Sequence, residues 1–220
     1  MSIFIAGTGT GVGKTILSSL ILSKYGKDQH LKYWKPIQTG KNSDWSAIRQ
    51  LTGFSGSFMK SSLYHFIYPA SPHYSAYLEM EKIDSELLLD ELRKVKNSNF
   101  IIEGIGGVLV PLTESVLFLD VLKLTGIPLL IVCDTGLGTI NHTLLTCEAV
   151  KNRNIPVVGF FGYGEENELW ENNQKTIEKF SGLTCLGNIF VPTEVFDSSS
   201  FIEFAEKNFD INEKLKKAII

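Results

Sequence analysis

A glycine-rich stretch close to the start of the chain carries the residue types that hold phosphate groups. Residues 7–16 read Gly-Thr-Gly-Thr-Gly-Val-Gly-Lys-Thr-Ile; they follow the short apolar run 3–6 and precede an apolar, helix-prone stretch at 17–25. Strand, glycine loop and helix in this order are what a phosphate-binding loop requires. The glycines let backbone N–H groups converge on phosphate oxygens without a Cβ in the way, and the helix start adds a positive dipole end.

Two side chains of this loop supply further chemistry. Lys14 can reach the β- and γ-phosphates of a nucleoside triphosphate, and the Thr15 hydroxyl can ligate the accompanying magnesium. The spacing is irregular, because Thr8 occupies the place of the first glycine in the G-x-x-x-x-G-K-[ST] pattern and Gly7 stands one position earlier. A glycine-rich turn with a chance Gly-Lys-Thr is the alternative, but the strand and helix around the loop favour nucleotide binding.

Polar residues also follow the second apolar run. Lys35 comes after the run 31–34, and Pro36 favours an extended backbone there, so that Lys35 should project from the rim of a sheet. A cation at this place suits the charge that develops on a transferred phosphoryl group, although a solvated surface lysine would also explain it. Asp44 is the only acid between positions 29 and 78, and it could either hold magnesium or pair with a surface cation.

A more specific signal is the acid that follows a buried run. Glu103 comes directly after 100–102, where nucleotide-hydrolysing folds place a second magnesium-associated carboxylate. The glycines behind it permit close approach of the backbone to a ligand. Residues 136–142, Gly-Leu-Gly-Thr-Ile-Asn-His, precede a predicted helix and form either a second anion site, with a carboxylate as its guest, or a plain capped helix start.

The composition is that of an ordinary globular protein. The chain has 220 residues, 44% of them hydrophobic, and a net charge of −3, which allows one substantial core and argues against non-specific binding to nucleic acid. No apolar run approaches the roughly 20 residues of a membrane span. The first predicted strand starts at residue 2 or 3 and leaves no room for a targeting peptide. We therefore expect a cytoplasmic protein that binds neither membrane nor nucleic acid.

The cysteines and histidines do not suggest a metal centre. Cys133, Cys147 and Cys185 are widely spaced and form no C-x-x-C pair, which is typical of buried, reduced thiols in a cytosolic protein. The four histidines show no metal-ligand spacing either. Packing is the role that we predict for the cysteines.

Apolar runs and helical segments alternate along the chain. We predict strands at 2–6, 31–34, 100–102, 128–133, 156–161 and 184–189, and helices at 14–25, 84–96, 116–124, 141–153, 168–180 and, as the terminal helix, 198–207. This order predicts one P-loop NTPase-like α/β domain over residues 1–220, with a mostly parallel β-sheet flanked by helices on both faces. The irregular, aromatic-rich segment 40–78 is too long for an idle connection, and we expect it to be functional.

The motifs taken together resemble the dethiobiotin synthetase family of biotin biosynthesis. The resemblance implies an ATP-dependent cyclo-ligase, a homodimer that uses MgATP, CO2 (from bicarbonate) and 7,8-diaminononanoate. It would close the cyclic urea of dethiobiotin through a carbamate and a carbamic-phosphoric anhydride, giving ADP and phosphate. The matching segments are T-G-x-G-V-G-K-T at 8–15, K-P-I-Q-T-G at 35–40, N-S-D at 42–44, S-P-H at 71–73, E-G-I-G-G at 103–107 and G-L-G-T-I-N-H at 136–142.

The resemblance also implies roles for individual residues. Lys35 and Lys14 would be catalytic, with Lys35 acting at the carbamate. Magnesium would be held by Thr15, Asp44 and Glu103. The nucleotide would contact Gly11, Val12, Gly13, Lys14, Thr15, Ile16, Asp44, Glu103, Gly104, Ile105 and Gly106. The substrate would contact Thr10, Thr39, Gly138, Thr139 and Asn141, the last three receiving its carboxylate across the dimer interface.

The chain departs from the family's pattern at several positions. Gly11 stands where some relatives carry an acid, and the connection from Lys35 to Asp44 is shorter than in many relatives. Where the family offers an asparagine for the adenine edge, this chain has Gly-Tyr-Gly at 162–164, and the segment 188–194 looks compressed. We therefore predict weak discrimination between nucleotide bases.

Three rival functions share the nucleotide-binding loop. A partition-type ATPase would carry a lysine at the position of Gly9, and a small-molecule kinase would present an arginine-rich lid, whereas this chain has only Arg49, Arg93 and Arg153. A regulatory module that binds nucleotide without turnover is the third possibility. Substrate-dependent release of phosphate separates that module from an enzyme.

Overall fold

The computed structural model describes residues 1–190 and 197–219. Of the segment 188–194, which the sequence suggests is compressed, residues 191–194 lie outside this description. The strands are β1 Ile3–Gly7, β2 Lys32–Trp34, β3 Ile37–Thr39, β4 Met59–Lys60, β5 Tyr64–Phe66, β6 Phe100–Gly107, β7 Leu129–Asp134, β8 Val157–Tyr163 and β9 Cys185–Ile189. The helices are α1 Lys14–Tyr25, α2 Asp44–Thr52, α3 Pro72–Leu78, α4 Ser85–Val95, α5 Phe118–Thr125, α6 Thr139–Lys151, α7 Trp170–Ser181, α8 Ser198–Asn208 and α9 Lys214–Ile219, with a 3-10 turn at Gly56–Phe58.

The main sheet has seven strands in the order β4-β2-β6-β1-β7-β8-β9. Its neighbouring strands pair in parallel. β3 and β5 form a separate, small parallel sheet. The predicted parallel α/β sheet is confirmed.

Apolar clusters lie on both faces of the main sheet. Phe4 and Ile102 belong to one cluster, on the face that α4, α5, α6 and α7 cover. Ile5, Tyr33 and Ile101 belong to the other, on the face that α1, α2, α8 and α9 cover. Neighbouring residues of one strand contribute to opposite clusters because side chains alternate across a sheet.

Local signals in the sequence explain several element ends. The Asp84 side chain caps α4 by accepting hydrogen bonds from the N–H groups of Glu86 and Leu87. Gly182 ends α7 in the left-handed conformation at φ 67°. These two helices confirm the predictions for 84–96 and 168–180 to within two residues at each end.

The segment 40–78 contains more regular structure than its sequence suggests. It holds α2, α3, β4, β5 and the 3-10 turn. α2 buries only Ile48 and Thr52, so its apolar stripe is too narrow to stand out in the sequence. The prediction of a terminal helix at 198–207 is wrong in one respect, because α9 follows α8 in the chain.

Two further elements differ from prediction close to the candidate site. β6 continues through Glu103 to Gly107, so the carboxylate lies within the strand rather than after it. α6 begins at Thr139, two residues before the predicted start, with Gly138 at φ 93° as its N-cap. Within the described ranges, no helix combines the length and the apolar character needed to cross a bilayer.

Strand register brings the polar residues together. In the β2–β6 pair Trp34 lies opposite Ile102, so that Lys35 comes alongside Glu103. In the β1–β6 pair Ile5 lies opposite Glu103, and β1 leads directly into the glycine-rich loop. The carboxyl ends of β1, β2 and β6 therefore meet at one edge of the sheet, which is where open α/β sheets bind ligands.

Candidate active site

The glycine-rich loop joins β1 to α1 and has the geometry of an anion cradle. Gly11 and Gly13 have φ values of 79° and 92°, a backbone conformation that side chains other than glycine rarely adopt. A Cβ on Gly13 would lie 2.2 Å from Cγ of Tyr163, so there is no room for a larger residue. The first N–H groups of α1 follow Gly13 directly and are free to face a phosphate.

Lys14 lies across this loop. Its Nζ donates a hydrogen bond to the Gly9 carbonyl at 2.7 Å. Burial lowers the pKa of Lys14 to about 8; the nearby charge of Glu103 opposes that shift and the charge of Lys35 adds to it. A bound phosphate would favour the protonated form of Lys14, so the loop suits an anionic ligand.

Lys35 is paired with two carboxylates at the foot of the site. Its Nζ donates to Glu103 Oε1 at 3.1 Å and also to Asp44 Oδ2. Burial alone lowers the pKa of Lys35, but the charges of Glu103 and Asp44 and their hydrogen bonds outweigh it and raise the pKa above its ordinary value. Lys35 is therefore a cation.

The oxygen atoms of three side chains suit a magnesium ion. Thr15 Oγ1 lies 2.9 Å from Glu103 Oε1 and 3.2 Å from Asp44 Oδ1. Residues 1–190 and 197–219 contain no group of three or more histidine, cysteine or acidic side chains placed for a metal. Mg²⁺ bound with a nucleotide needs no such group, because one or two carboxylates, a hydroxyl and phosphate oxygens suffice. The donor set fits magnesium.

Gln38 places Asp44 in this cluster and was not a predicted site residue. Its Oε1 accepts a hydrogen bond from the Asp44 N–H at 3.2 Å, and its Nε2 donates to the carbonyls of Thr39 and Asn42 at 2.9 and 3.2 Å. The short connection after Lys35 is thus folded around a buried amide. Its shortness does not keep Asp44 from the site.

Two other hydroxyl groups donate to Glu103 from the protein interior, on the side of the carboxylate that faces away from the cavity. Tyr33 Oη donates to Glu103 Oε2 at 3.0 Å and Ser18 Oγ donates to the same oxygen at 3.4 Å. Burial, followed by the charge of Glu103, raises the pKa of the Tyr33 phenol well above its ordinary value, so that it remains a donor. Tyr33 in β2 and Lys35 directly after it are two residues apart, which places both on one face. That spacing was the only sequence signal for Tyr33.

A cavity of about 660 Å³ connects these parts. Most of the predicted site residues line it: Thr10, Gly11, Gly13, Lys14, Thr15, Ile16, Lys35, Thr39, Asp44, Glu103, Ile105 and Gly106. Val12 and Gly104 do not line it. Val12 belongs to an apolar cluster, and a Cβ on Gly104 would meet the Phe118 ring at 2.6 Å. Gln38, Asn42, Val110 and Tyr163 also line it, as do residues 69–72, which precede and open α3.

The start of α6 lies outside this cavity. Gly138 and Asn141 are exposed, and Leu137 beside them is 96% exposed. The Thr139 hydroxyl donates to the Asp134 carbonyl, so it already has a partner within the chain. Within one chain, the three residues predicted to receive the substrate carboxylate are not brought to the Lys35 cluster.

Tyr163 ends β8 within the stretch 162–164, where the resemblance to the family predicts an asparagine. Its ring packs against Gly13 and borders the cavity. Two asparagines close to this strand end have partners within the chain: Asn188, opposite Gly162 on β9, accepts through Oδ1 from Trp170 Nε1 at 2.5 Å, and Asn167 Nδ2 donates to the Thr135 carbonyl at 3.4 Å. Tyr163 is therefore the residue of β8 that borders the cavity.

Several solved structures share this fold. A ParA family ATPase from Chlorobium tepidum matches with a TM-score of 0.63 and 12% identity over 99% of this chain and 97% of that one. The MinC:MinD complex of Aquifex aeolicus matches with a TM-score of 0.56 and 15% identity over 93% and 86%. At these identities the likeness shows the fold alone, the P-loop NTPase-like fold expected from the sequence.

Sequence comparison is more specific. The family model of an AAA domain matches residues 1–194. An ATP-dependent dethiobiotin synthetase of Leptospira interrogans is 42% identical over 100% of both chains, and that of Brucella anthropi is 36% identical over 94% of both. The enzyme of the same name from Agrobacterium fabrum is 38% identical over 84% of both. The chain therefore belongs to the ATP-dependent dethiobiotin synthetase family.

Proposed function

We propose that this protein is an ATP-dependent dethiobiotin synthetase, which joins CO2 to 7,8-diaminononanoate and closes the ring of dethiobiotin. The observation that carries the proposal is the meeting of Lys14, Lys35, Asp44 and Glu103 at one cavity, in a chain that is 42% identical over its whole length to a synthetase of that name. ATP is the co-substrate.

The glycine-rich loop holds the triphosphate. Backbone N–H groups at Gly11 and Gly13 and the start of α1 bind phosphate oxygens, and Lys14 neutralises charge between the β- and γ-phosphates. Thr15, Asp44 and Glu103 hold the Mg²⁺ that accompanies ATP, and the ion, when bound, neutralises phosphate charge.

The reaction has three covalent steps. One substrate amine attacks CO2 and loses a proton, giving a carbamate. A carbamate oxygen attacks the γ-phosphorus and ADP leaves, giving a carbamic-phosphoric anhydride. The second amine attacks the carbonyl carbon, phosphate leaves with the bonding electron pair, and the nitrogen loses a proton to complete the cyclic urea.

Lys35 stabilises the negative charges that arise in these steps. A carbamate anion repels the triphosphate, and the Lys35 and Lys14 cations offset that repulsion. Both lie on the cavity wall, so they can stabilise negative charge as it shifts from the carbamate oxygen to the transferred phosphoryl group. Thr10 and Thr39 line the same cavity and hold the substrate in line with the nucleotide.

The substrate carboxylate is received by Gly138, Thr139 and Asn141 of a second copy of the chain. Two features support this homodimer: these residues lie outside the chain's own cavity, and the exposed Leu137 and Leu145 offer apolar surface on either side of them. Mixing a Lys14→Ala variant with an Asn141→Ala variant should then restore activity, because one of the mixed sites has both residues intact. No recovery would mean that each site is built within one chain.

The protein acts in the cytoplasm. Cys133, Cys147 and Cys185 are buried and unpaired, which fits a reducing compartment.

The function itself is tested by following the carbon atom of bicarbonate into the product. The purified protein is incubated with ATP, Mg²⁺, 7,8-diaminononanoate and ¹³C-bicarbonate, and the product is analysed by mass spectrometry. We expect dethiobiotin that carries the label at its ring carbonyl. An unlabelled substrate recovered unchanged, with ATP intact, would contradict the proposal.

A further inference from the structure

Tyr33 lies directly under the proposed magnesium site without lining the cavity. Its side chain is fully buried on β2, in the apolar cluster that α1 covers. Its hydroxyl is the one polar atom of the side chain, and it donates to Glu103 Oε2 at 3.0 Å. The phenol therefore contacts the carboxylate from the protein interior and not from the cavity.

The two oxygens of Glu103 have different surroundings. Oε1 faces Thr15 and Lys35, the groups that border the cavity, at 2.9 and 3.1 Å. Oε2 accepts from Tyr33 and Ser18, which lie beneath it. Because Tyr33 and Ser18 both donate to Oε2, the carboxylate cannot turn freely, and Oε1 stays aimed at the cavity.

Tyr33 is held within the main sheet. β2 pairs in parallel with β6, with Tyr33 opposite Ile101 and Trp34 opposite Ile102. Tyr33 and Lys35 thus flank Glu103 on one face of the sheet. Hydrogen bonds of the sheet fix both strands, and the orientation of the carboxylate does not depend on a loop.

We propose that Tyr33 is a positioning residue that aims Glu103 at the magnesium ion of the bound nucleotide. The inference rests on the proposed role of Glu103 in the synthetase. Groups that hydrogen-bond to metal ligands orient them, and their loss commonly lowers metal affinity about 10- to 100-fold. Tyr33 supplies the shorter of the two hydrogen bonds to Oε2.

A purely structural role for Tyr33 predicts a different result. Removing its hydroxyl would then lower the stability of the fold, because a buried carboxylate loses a donor, but it would leave the metal affinity unchanged. Tyr25 offers a matched control. Its hydroxyl donates to Asp210 at 2.7 Å, also in a buried setting, and neither residue lines the cavity.

The test uses Mn²⁺ as the probe and the full chain. Mn²⁺ is titrated into the protein–ADP complex, with protein in excess over ADP, and free Mn²⁺ is measured by electron paramagnetic resonance. Binding of ADP in EDTA is measured in parallel by calorimetry. The variants are Tyr33→Phe, Tyr25→Phe and Glu103→Gln.

We expect Tyr33→Phe to raise the Mn²⁺ dissociation constant about 10-fold or more, and Tyr25→Phe to leave it unchanged. Binding of ADP in EDTA should be unaffected by either. An unchanged Mn²⁺ affinity in Tyr33→Phe, or an equal loss of ADP binding in EDTA, would overturn the inference.

Glu103→Gln and one further variant separate the possible failures. If Glu103→Gln also leaves Mn²⁺ affinity unchanged, the proposed magnesium role of Glu103 fails and the inference fails with it. If Glu103→Gln weakens Mn²⁺ binding and Tyr33→Phe does not, only the positioning role fails. Should Tyr33→Phe not fold, Ser18→Ala removes the other donor to Oε2 and should weaken Mn²⁺ binding by a smaller factor; no weakening would overturn the inference.

Discussion

The ammonium group of Lys35 lies 3.1 Å from Oε1 of Glu103, and both side chains are buried at the foot of the cavity. In this pair the cation faces the carboxylate that is proposed to hold magnesium. Thr15 shares the same oxygen at 2.9 Å. Thr15 and Lys35, proposed to act on the metal and on the carbamate, therefore meet at a single carboxylate oxygen.

Replacing Lys35 by alanine should abolish turnover and leave nucleotide binding intact. The variant removes a cation that stabilises developing charge, and loss of one such group commonly costs on the order of 10²–10³-fold in rate, with a larger loss expected here because the carbamate also loses its counter-charge. The apolar packing should stay intact, because Lys35 belongs to neither apolar cluster, while the buried Glu103 that loses its cation should lower the free energy of unfolding. Steady-state phosphate release and ATP calorimetry measure the two properties.

Lys60→Ala is the matched control, because Lys60 also pairs with a glutamate, Glu91 at 2.7 Å, but outside the cavity. It should keep full activity. Activity of Lys35→Ala close to that of the parent protein would rule out the catalytic role of Lys35.

The affinity for metal-free ATP should fall as the pH rises above about 8. Burial lowers the pKa of Lys14 to about 8 in the free protein, and the phosphates bind the protonated amine, so binding above that pH must take up a proton. The loss should approach tenfold per pH unit. Calorimetry in buffers of different ionisation enthalpy measures the proton uptake directly.

Lys14→Met should bind ATP weakly and without this pH dependence. In the absence of ligand the sign is reversed for stability: because the pKa of Lys14 is lowered from 10.5 to about 8, the unfolded chain holds more protons between these values, and the free energy of unfolding rises with pH there. An ATP affinity that is flat from pH 7 to pH 9.5 would contradict the assignment.

Gly13→Ala should lower the free energy of unfolding, and Gly9→Ala should not. An alanine at position 13 would adopt φ 92° and place its Cβ 2.2 Å from the Tyr163 ring, whereas a Cβ at position 9 would have no heavy atom within 4 Å. The left-handed conformation alone costs about 1–3 kcal/mol for a residue other than glycine. Urea denaturation of both variants measures the difference; equal stabilities would show that the loop is free to rearrange.

The protein should discriminate weakly between ATP and GTP. The stretch 162–164 carries no amide where the resemblance predicts one, and it borders the cavity with the Tyr163 ring, which can pack against any base. Titration of both nucleotides at the same magnesium concentration measures the preference. Two hydrogen bonds to a base edge, each worth about 1–1.5 kcal/mol, would give roughly 30- to 150-fold preference, so an ATP preference of that size would contradict the prediction.

The sequence predicted the structure best where a local pattern of residues is compatible with only a few backbone arrangements. The loop before Lys14 and the strands around it have residue types that only a few backbone arrangements accommodate, and the parallel sheet followed from their alternation with helices. Glu103 was found because a carboxylate at the end of an apolar run has no packing explanation.

The site was harder to predict where contacts join distant parts of the chain. Tyr33 has the side chain of an ordinary strand residue, and only the β2–β6 register shows that it reaches Glu103. In the sequence Gln38 looks like an ordinary loop residue. Only the structure shows that its side-chain oxygen accepts a hydrogen bond from the Asp44 N–H. Asn141 was placed at the substrate by resemblance, yet it lies outside the chain's own cavity, since one sequence does not show how two copies meet.

Release of phosphate from ATP tests the central claim most directly. The purified protein is given MgATP with bicarbonate alone, with 7,8-diaminononanoate alone and with both, and phosphate is measured over time. The account predicts rapid release only when both are present, with one dethiobiotin formed for each phosphate. Release that is independent of the diamine, or no release with both present, would contradict it.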